Sequence, residues 1–291
     1  MKKITKILVS LALSALCLFS VCACNKAEFK IGVQSGTTGE LYVKGDVDMM
    51  FDGLKNSECF AYDNGGLAVQ AMLNGQVDFV IIDNEPAKQL VAQNSGIKMI
   101  DIALTTEQYA YGVDKNQPEL LASINSIITR IKGDGTLDAI FAKYESLEYD
   151  DEGNVIGGDD HIVGVESATK NVSNASGQLV VSTNAAFAPY EYKKGNKFAG
   201  IDMEVAELIA DELDLELVIE DMEFISVVNS VGINAVDVAM AGLSVTASRR
   251  ELVNFSEVYY EGVYQVLLVK ESETRFDNFT TKEEIENILK G

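Results

Sequence analysis

Arg249 closes the run Ala241-Gly242-Leu243-Ser244-Val245-Thr246-Ala247-Ser248-Arg249. A guanidinium there can grip a carboxylate through two parallel N–H bonds, which a lysine does poorly. A second candidate is the loop Ser35-Gly36-Thr37-Thr38-Gly39-Glu40. It follows a predicted strand, Phe29 to Val33, and precedes a helix. A glycine-rich turn at a helix N-terminus offers backbone N–H groups and two hydroxyls to a carboxylate or phosphate. No Gly-Lys-Ser/Thr follows and the G-x-G-x-x-G spacing is absent, so it is not a nucleotide loop. The same residues also read as a plain turn with a threonine N-cap. Asp83 ends the apolar run Phe79 to Ile82 just ahead of Pro86, where it reads as a ligand group or a turn former.

These groups need strands and helices to hold them. Leu179-Val180-Val181 predicts a short strand. Asp202 to Leu213 predicts an amphipathic helix with Val205, Leu208, Ile209 and Leu213 on one face. Leu215 to Ile219 then returns as a strand. A β-α-β unit of this kind implies a parallel sheet flanked by helices. An internal echo adds to this. Asn74 to Asp83 (NGQVDFVIID) and Ile233 to Gly242 (INAVDVAMAG) each read as a turn, then Val-Asp, then an apolar strand. Two α/β lobes of similar build explain the echo. Ligands of open α/β sheets sit beyond the carboxyl ends of strands, which points to Asp83 and Gly242 as facing ends, one per lobe.

Composition bounds the function. The formal net charge of −22 argues against nucleic acid and anionic lipid as partners. The start is basic, with Lys2, Lys3 and Lys6, and Ile7 to Val21 is apolar and uncharged. That run is too short for a membrane span and predicts a signal peptide over 1–23. Val21-Cys22-Ala23-Cys24 resembles a bacterial lipobox, which makes Cys24 the expected lipidated residue. Of the four cysteines, only Cys59 then remains free, so no intrachain disulfide is expected. Residues 146–177 are rich in Asp, Glu, Gly, Ser and Asn and hold the single histidine, His161. Their acidic cluster lacks the spacing of a calcium loop, so they predict an acidic flexible linker. No metal or cofactor is expected.

The most specific pattern is A-G-(hydrophobic)-(S/T)-x-T-x-x-R at Ala241 to Arg249, followed by Phe255-Ser256-Glu257-Val258-Tyr259-Tyr260. With Ala186-Phe187-Ala188-Pro189-Tyr190-Glu191-Tyr192, it resembles the type 2 periplasmic solute-binding proteins of amino-acid uptake, bacterial extracellular solute-binding family 3. In that family a stretch like FDNFTTKEEIENILKG (Phe276 to Gly291) leads straight into one like FKIGVQSGTTGE (Phe29 to Glu40), so the order here resembles a circular permutation. The resemblance implies an α/β, two-lobed Venus-flytrap fold. Lobe 2 is expected over 29–107 plus 270–291, and lobe 1 over 108–145 plus 178–269. The crossovers are expected near Tyr264 to Lys270 and Tyr109 to Lys115.

The resemblance also implies roles. Arg249 would hold a ligand's α-carboxylate and Asp83 its α-ammonium. Gly242 and Ser244 would face those two groups, and Thr37 and Thr38 would add contacts to the carboxylate. Phe187 and Phe224 would wall the ligand side chain, near Gln34 and near Asn184, where several family members carry Asp. The implied ligand is a free L-amino acid, with a neutral polar one such as glutamine favoured, because no second basic residue maps to the pocket to suit an acidic ligand and Asn184 in place of Asp weakens the case for a cationic one. The implied protein is a monomeric, non-enzymatic binding protein, lipid-anchored outside the cytoplasmic membrane and partnered with an ABC transporter permease. Two alternatives stand beside it. One is a cyclohexadienyl dehydratase-like enzyme using Glu191 as its acid. The other is a non-functional fusion of two partial binding proteins.

Overall fold

The computed structural model describes residues 27–144, 147–150, 155–156, 162–166 and 177–291. The expected leader and Cys24 lie outside them. The fold is mixed α/β, as the sequence predicts, and rests on two five-stranded sheets of matching plan. In the first, the strands run Ser57–Tyr62, Phe29–Gln34, Phe79–Asp83, Gln265–Lys270, Ile97–Ile100. In the second they run Glu216–Asp221, Gln178–Thr183, Val238–Ala239, Gly112–Val113, Asn254–Phe255. Each sheet begins with three parallel strands. Its fourth strand is antiparallel and comes from a distant part of the chain.

The Val-Asp echo has one physical cause in both sheets. Asp78 N–H donates to the Lys30 carbonyl at 2.8 Å, and the Asp78 carboxylate accepts from Lys30 N–H at 2.8 Å. Asp237 does the same to Val180, at 2.9 and 2.8 Å. Each aspartate therefore pins the start of its strand to the central strand. The turn before each one carries a left-handed residue, Gly75 at φ +74° and Asn234 at φ +57°, a conformation that Gly and Asn tolerate best.

The β-α-β unit forms as predicted. The strand Gln178–Thr183 leads, through a short hairpin, to the helix Ile201–Glu212, and the strand Glu216–Asp221 returns beside the first. Gly200 starts the helix at φ +120°, and a Cβ there would lie 2.2 Å from the Tyr190 carbonyl oxygen, so only glycine fits. Val205 and Ile209 are fully buried on the predicted face.

Three boundaries differ from expectation. Gln265–Lys270 pairs with Phe79–Asp83 and Ile97–Ile100 in the first sheet, rather than belonging with the segment that ends at residue 269. The reason is its apolar run, Val266 to Val269, which is buried on both faces of a central strand. The ribbon linking the sheets lies one step earlier, where Glu107–Tyr109 pairs antiparallel with Tyr260–Val263. The 146–177 segment is also not wholly irregular. Glu148–Tyr149 pairs with Val155–Ile156, and Ile162–Glu166 pairs with Lys197–Ala199. Tyr149 hydroxyl donates to Gln89 at 2.7 Å, tying that segment to the helix Asn84–Gln93. The β-branched residues of I-V-G-V-E supply the strand preference.

The first and last described segments share a core. Phe29, Ile31 and Val33 pack in one cluster with Phe276, Ile285 and Leu289. The last two sit on the helix Lys282–Lys290, whose start is fixed by a capping box between Thr281 and Glu284. Each such buried side chain contributes about 1.5–3 kcal/mol. Asn56 touches both segments. Its N–H donates to the Leu289 carbonyl at 3.1 Å, and its carbonyl accepts from Glu28 N–H at 2.9 Å.

Candidate functional site

Arg249 lies on the one-turn helix Ala247–Arg250, capped by the Thr246 side chain, which accepts from Arg249 N–H at 3.2 Å. Its Nη1 donates to the Ser244 carbonyl at 2.7 Å. Its Nη2 donates to the Gly36 carbonyl at 3.1 Å, across to the glycine-rich loop of the other sheet. The guanidinium carbon stands 5.2 Å from the centre of the Phe224 ring, a cation–π distance. The residue as a whole is half-buried. Burial lowers its pKa, and the negative charges of Glu107 and Asp83 act against that.

Asp83 is 4% exposed. It precedes the helix Asn84–Gln93 but makes no side-chain cap bond to it. Its carboxylate instead accepts from the Tyr109 hydroxyl at 2.8 Å. Burial, with the Glu107 carboxylate adding to it, pushes the Asp83 pKa up to about 7.

The glycine-rich loop is partly spoken for by its own residues. The Thr37 hydroxyl donates to the Gln34 carbonyl at 2.8 Å and accepts from Glu40 N–H at 3.4 Å, so it caps the helix Thr38–Lys44. Gly36 N–H donates to the Glu40 carboxylate at 2.6 Å. Thr38 points the other way, donating its hydroxyl to Glu107 at 2.6 Å. Gln34 bridges the two sheets by donating to Asn184 Oδ1 at 2.9 Å, and Asn184 Nδ2 donates to the Met222 carbonyl at 2.7 Å.

Gly242 sits at φ +53° directly behind Phe187, and a Cβ there would meet the ring at 2.9 Å. Its N–H donates to Asp202 at 2.9 Å. Phe187 is buried and stacks on Tyr190 with centroids 6.1 Å apart. The two expected aromatic walls line separate hollows. Phe224 lines one of 180 Å³ with Gly36 and Arg249, and Phe187 lines one of 260 Å³ with Asn64 and Ile82.

Glu107 was not among the residues the sequence singled out, yet it stands at the centre of the site. It is 4% exposed. Its carboxylate accepts from Thr38 Oγ1 at 2.6 Å, Thr105 Oγ1 at 2.6 Å, Ser244 Oγ at 2.5 Å and Gln265 Nε2 at 3.2 Å. Gln265 Nε2 also donates to Thr38 Oγ1 at 3.1 Å. Thr-Thr-Glu-Gln-Tyr carries no local signal of this, because three of the four donors come from distant parts of the chain. A second buried pair lies behind Gly242. The Glu191 pKa is pushed well above the usual carboxylate range by burial and by neighbouring Asp202. Asp202 itself is pushed up to about 6 by burial, against the hydrogen bonds it accepts. Among the described residues, no group of three or more metal-ligating side chains occurs, and no helix is long and apolar enough to cross a membrane.

Comparison with known proteins gives partial matches. The arginine-binding extracellular protein ArtP of Bacillus subtilis is 32% identical over 106 residues, covering 36% of this chain and 42% of that protein. A probable histidine-binding protein of Campylobacter jejuni is 26% identical over 121 residues, covering 42% of this chain and 46% of that protein. The solved structure of a Salmonella typhimurium periplasmic binding protein with high arginine specificity is 31% identical over 28% of this chain and 37% of that one, with a TM-score of 0.27. The chain spans less than half the length of these curated relatives. Residues 179–290 match the model of the bacterial extracellular solute-binding proteins, family 3.

Proposed function

We propose that this chain is an extracytoplasmic, lipid-anchored, monomeric solute-binding protein that captures a free amino acid between its two sheets and delivers it to an ABC importer. The observation that carries the reading is the position of Arg249. It is a guanidinium on one sheet's side, within electrostatic reach of Asp83 on the other. A zwitterion answers both charges. Its carboxylate goes to Arg249 and its ammonium to Asp83. Because the partners come from different sheets, the ligand favours the closed arrangement through its differential contacts. Gln34 and Asn184 would lie at the side-chain end, flanked by Phe187 and Phe224 from the separate hollows that each lines. Binding needs no cofactor and no metal.

The order of the chain is read as circularly permuted, with lobes drawn from both its early and its late residues. The shared Phe29–Leu289 core and the two-way bonding of Asn56 support this, and they speak against two unrelated fused fragments. Relatives named for arginine and histidine binding, together with the extra buried carboxylate of Glu107, favour a cationic side chain as much as the neutral polar one expected from the sequence. A dehydratase-like activity would call on Glu191. Burial and neighbouring Asp202 raise its pKa, but it lines none of the hollows described above. No turnover is therefore proposed.

Isothermal titration of the purified protein against the twenty L-amino acids tests the reading. One amino acid binding one-to-one in the micromolar range or better, about −8 kcal/mol, is expected. A folded, monomeric protein that binds none of them overturns it. Product formation from prephenate or arogenate would overturn the non-enzymatic part.

A further inference from the structure

We infer that Glu107 sets the hydrogen-bond polarity of the site, turning the Thr38 and Ser244 hydroxyls into acceptors for a ligand ammonium rather than donors to its carboxylate. The inference rests on the amino-acid reading above and reassigns two of its residues.

A hydroxyl carries one proton and two lone pairs. Thr38 and Ser244 both spend that proton on the same oxygen, Glu107 Oε2. Thr105 spends its proton on the other oxygen, Oε1. Gln265 locks the order, because its amide donates both to Thr38 Oγ1 and to Glu107 Oε1. Thr105 is locked in turn by Gln265 N–H, which donates to its oxygen at 2.9 Å. The network has one direction, towards Glu107. What Thr38 and Ser244 keep to offer are lone pairs: one on Thr38 and two on Ser244.

Lone pairs repel a carboxylate and attract an ammonium. Asp83, which also influences Arg249 electrostatically, lies close enough to Glu107 for their charges to interact. An ammonium seated between Asp83 and these hydroxyls would meet a carboxylate and two oxygens that keep lone pairs to accept with. Such preorganisation strengthens recognition because the donors and acceptors need no reordering on binding. Glu107 is then a positioning residue: it acts through the two hydroxyls and need not touch the ligand. The carboxylate of the ligand is left to Arg249.

The test is calorimetric and uses the full chain, wild type and Glu107→Gln. Each is titrated with the twenty L-amino acids, and the tightest binder is then compared with its des-amino analogue, which keeps the carboxylate and lacks the ammonium. The wild type should prefer the amino acid over the analogue by at least tenfold more than Glu107→Gln does. In the variant an amide can donate back to one hydroxyl and reverse it. If Glu107→Gln does not fold, Ser244→Ala replaces it, and the same preference should shrink through loss of one acceptor. A wild type that binds an amino acid while the preference stays unchanged in the folded variant overturns this inference alone. A wild type that binds no amino acid overturns the function reading and the inference with it.

Discussion

Arg249 donates through Nη2 to the carbonyl of Gly36, 213 positions earlier in the chain, at 3.1 Å. The bond joins the motif that most resembles a carboxylate clamp to the loop that most resembles an anion seat. It also places the guanidinium over the Phe224 ring. Replacing Arg249 with Lys keeps the charge but loses the planar fork. Amino-acid affinity should fall by about 100-fold or more, roughly 3 kcal/mol, with the thermal midpoint little changed. Calorimetry beside a melting curve separates the two effects.

Asp83 should make both stability and binding depend on pH. Its folded pKa of about 7 lies above the ordinary 3.8. Between those values the folded chain holds a proton that the unfolded chain has released. The stability that Asp83 contributes is therefore full below about pH 4 and is lost as pH rises through about 7. Ligand binding runs the other way, because an ammonium needs the carboxylate charged. Affinity should rise from pH 5.5 to pH 7.5 and level off above. Asp83→Asn should flatten that rise. Titrations and melts at four pH values check both trends, and comparison with the variant removes the contribution of Asp202, which titrates nearby at about 6.

Asp237 pins Val180 and also accepts from Gln117 at 2.6 Å. Asp237→Ala leaves the Val180 N–H without its side-chain partner and should cost about 1–3 kcal/mol in denaturant unfolding. Asp78→Ala, at the equivalent but more exposed position, should cost less. Equal losses would contradict the role of burial in this comparison.

Gly242→Ala should damage the site without unfolding the chain. The added Cβ meets Phe187 at 2.9 Å and the backbone sits at φ +53°, so strain of about 1–3 kcal/mol is expected. Displacement of Phe187 should weaken binding at least tenfold, read by titration.

The parts of this account that were legible in the sequence are those written locally. The Val-Asp echo announced two sheets of one plan because Asp78 and Asp237 each act on the strand beside them. The helix from Ile201 was legible because its apolar period and its glycine start are consecutive in the chain. Thr37 was ambiguous, and its hydroxyl proved to cap the helix. Gln265–Lys270 was placed one boundary too late, because an apolar run does not say which sheet it completes. Glu107 was invisible for a related reason. Its importance lies in donors at positions 38, 244 and 265, which only the fold gathers around it.

The most direct test of the central claim is a crystal structure of the protein with its tightest-binding amino acid. The account predicts density for one amino acid, its carboxylate within hydrogen-bonding distance of Arg249 and its ammonium within that distance of Asp83. An amino acid bound elsewhere, or bound with neither residue in contact, would contradict it.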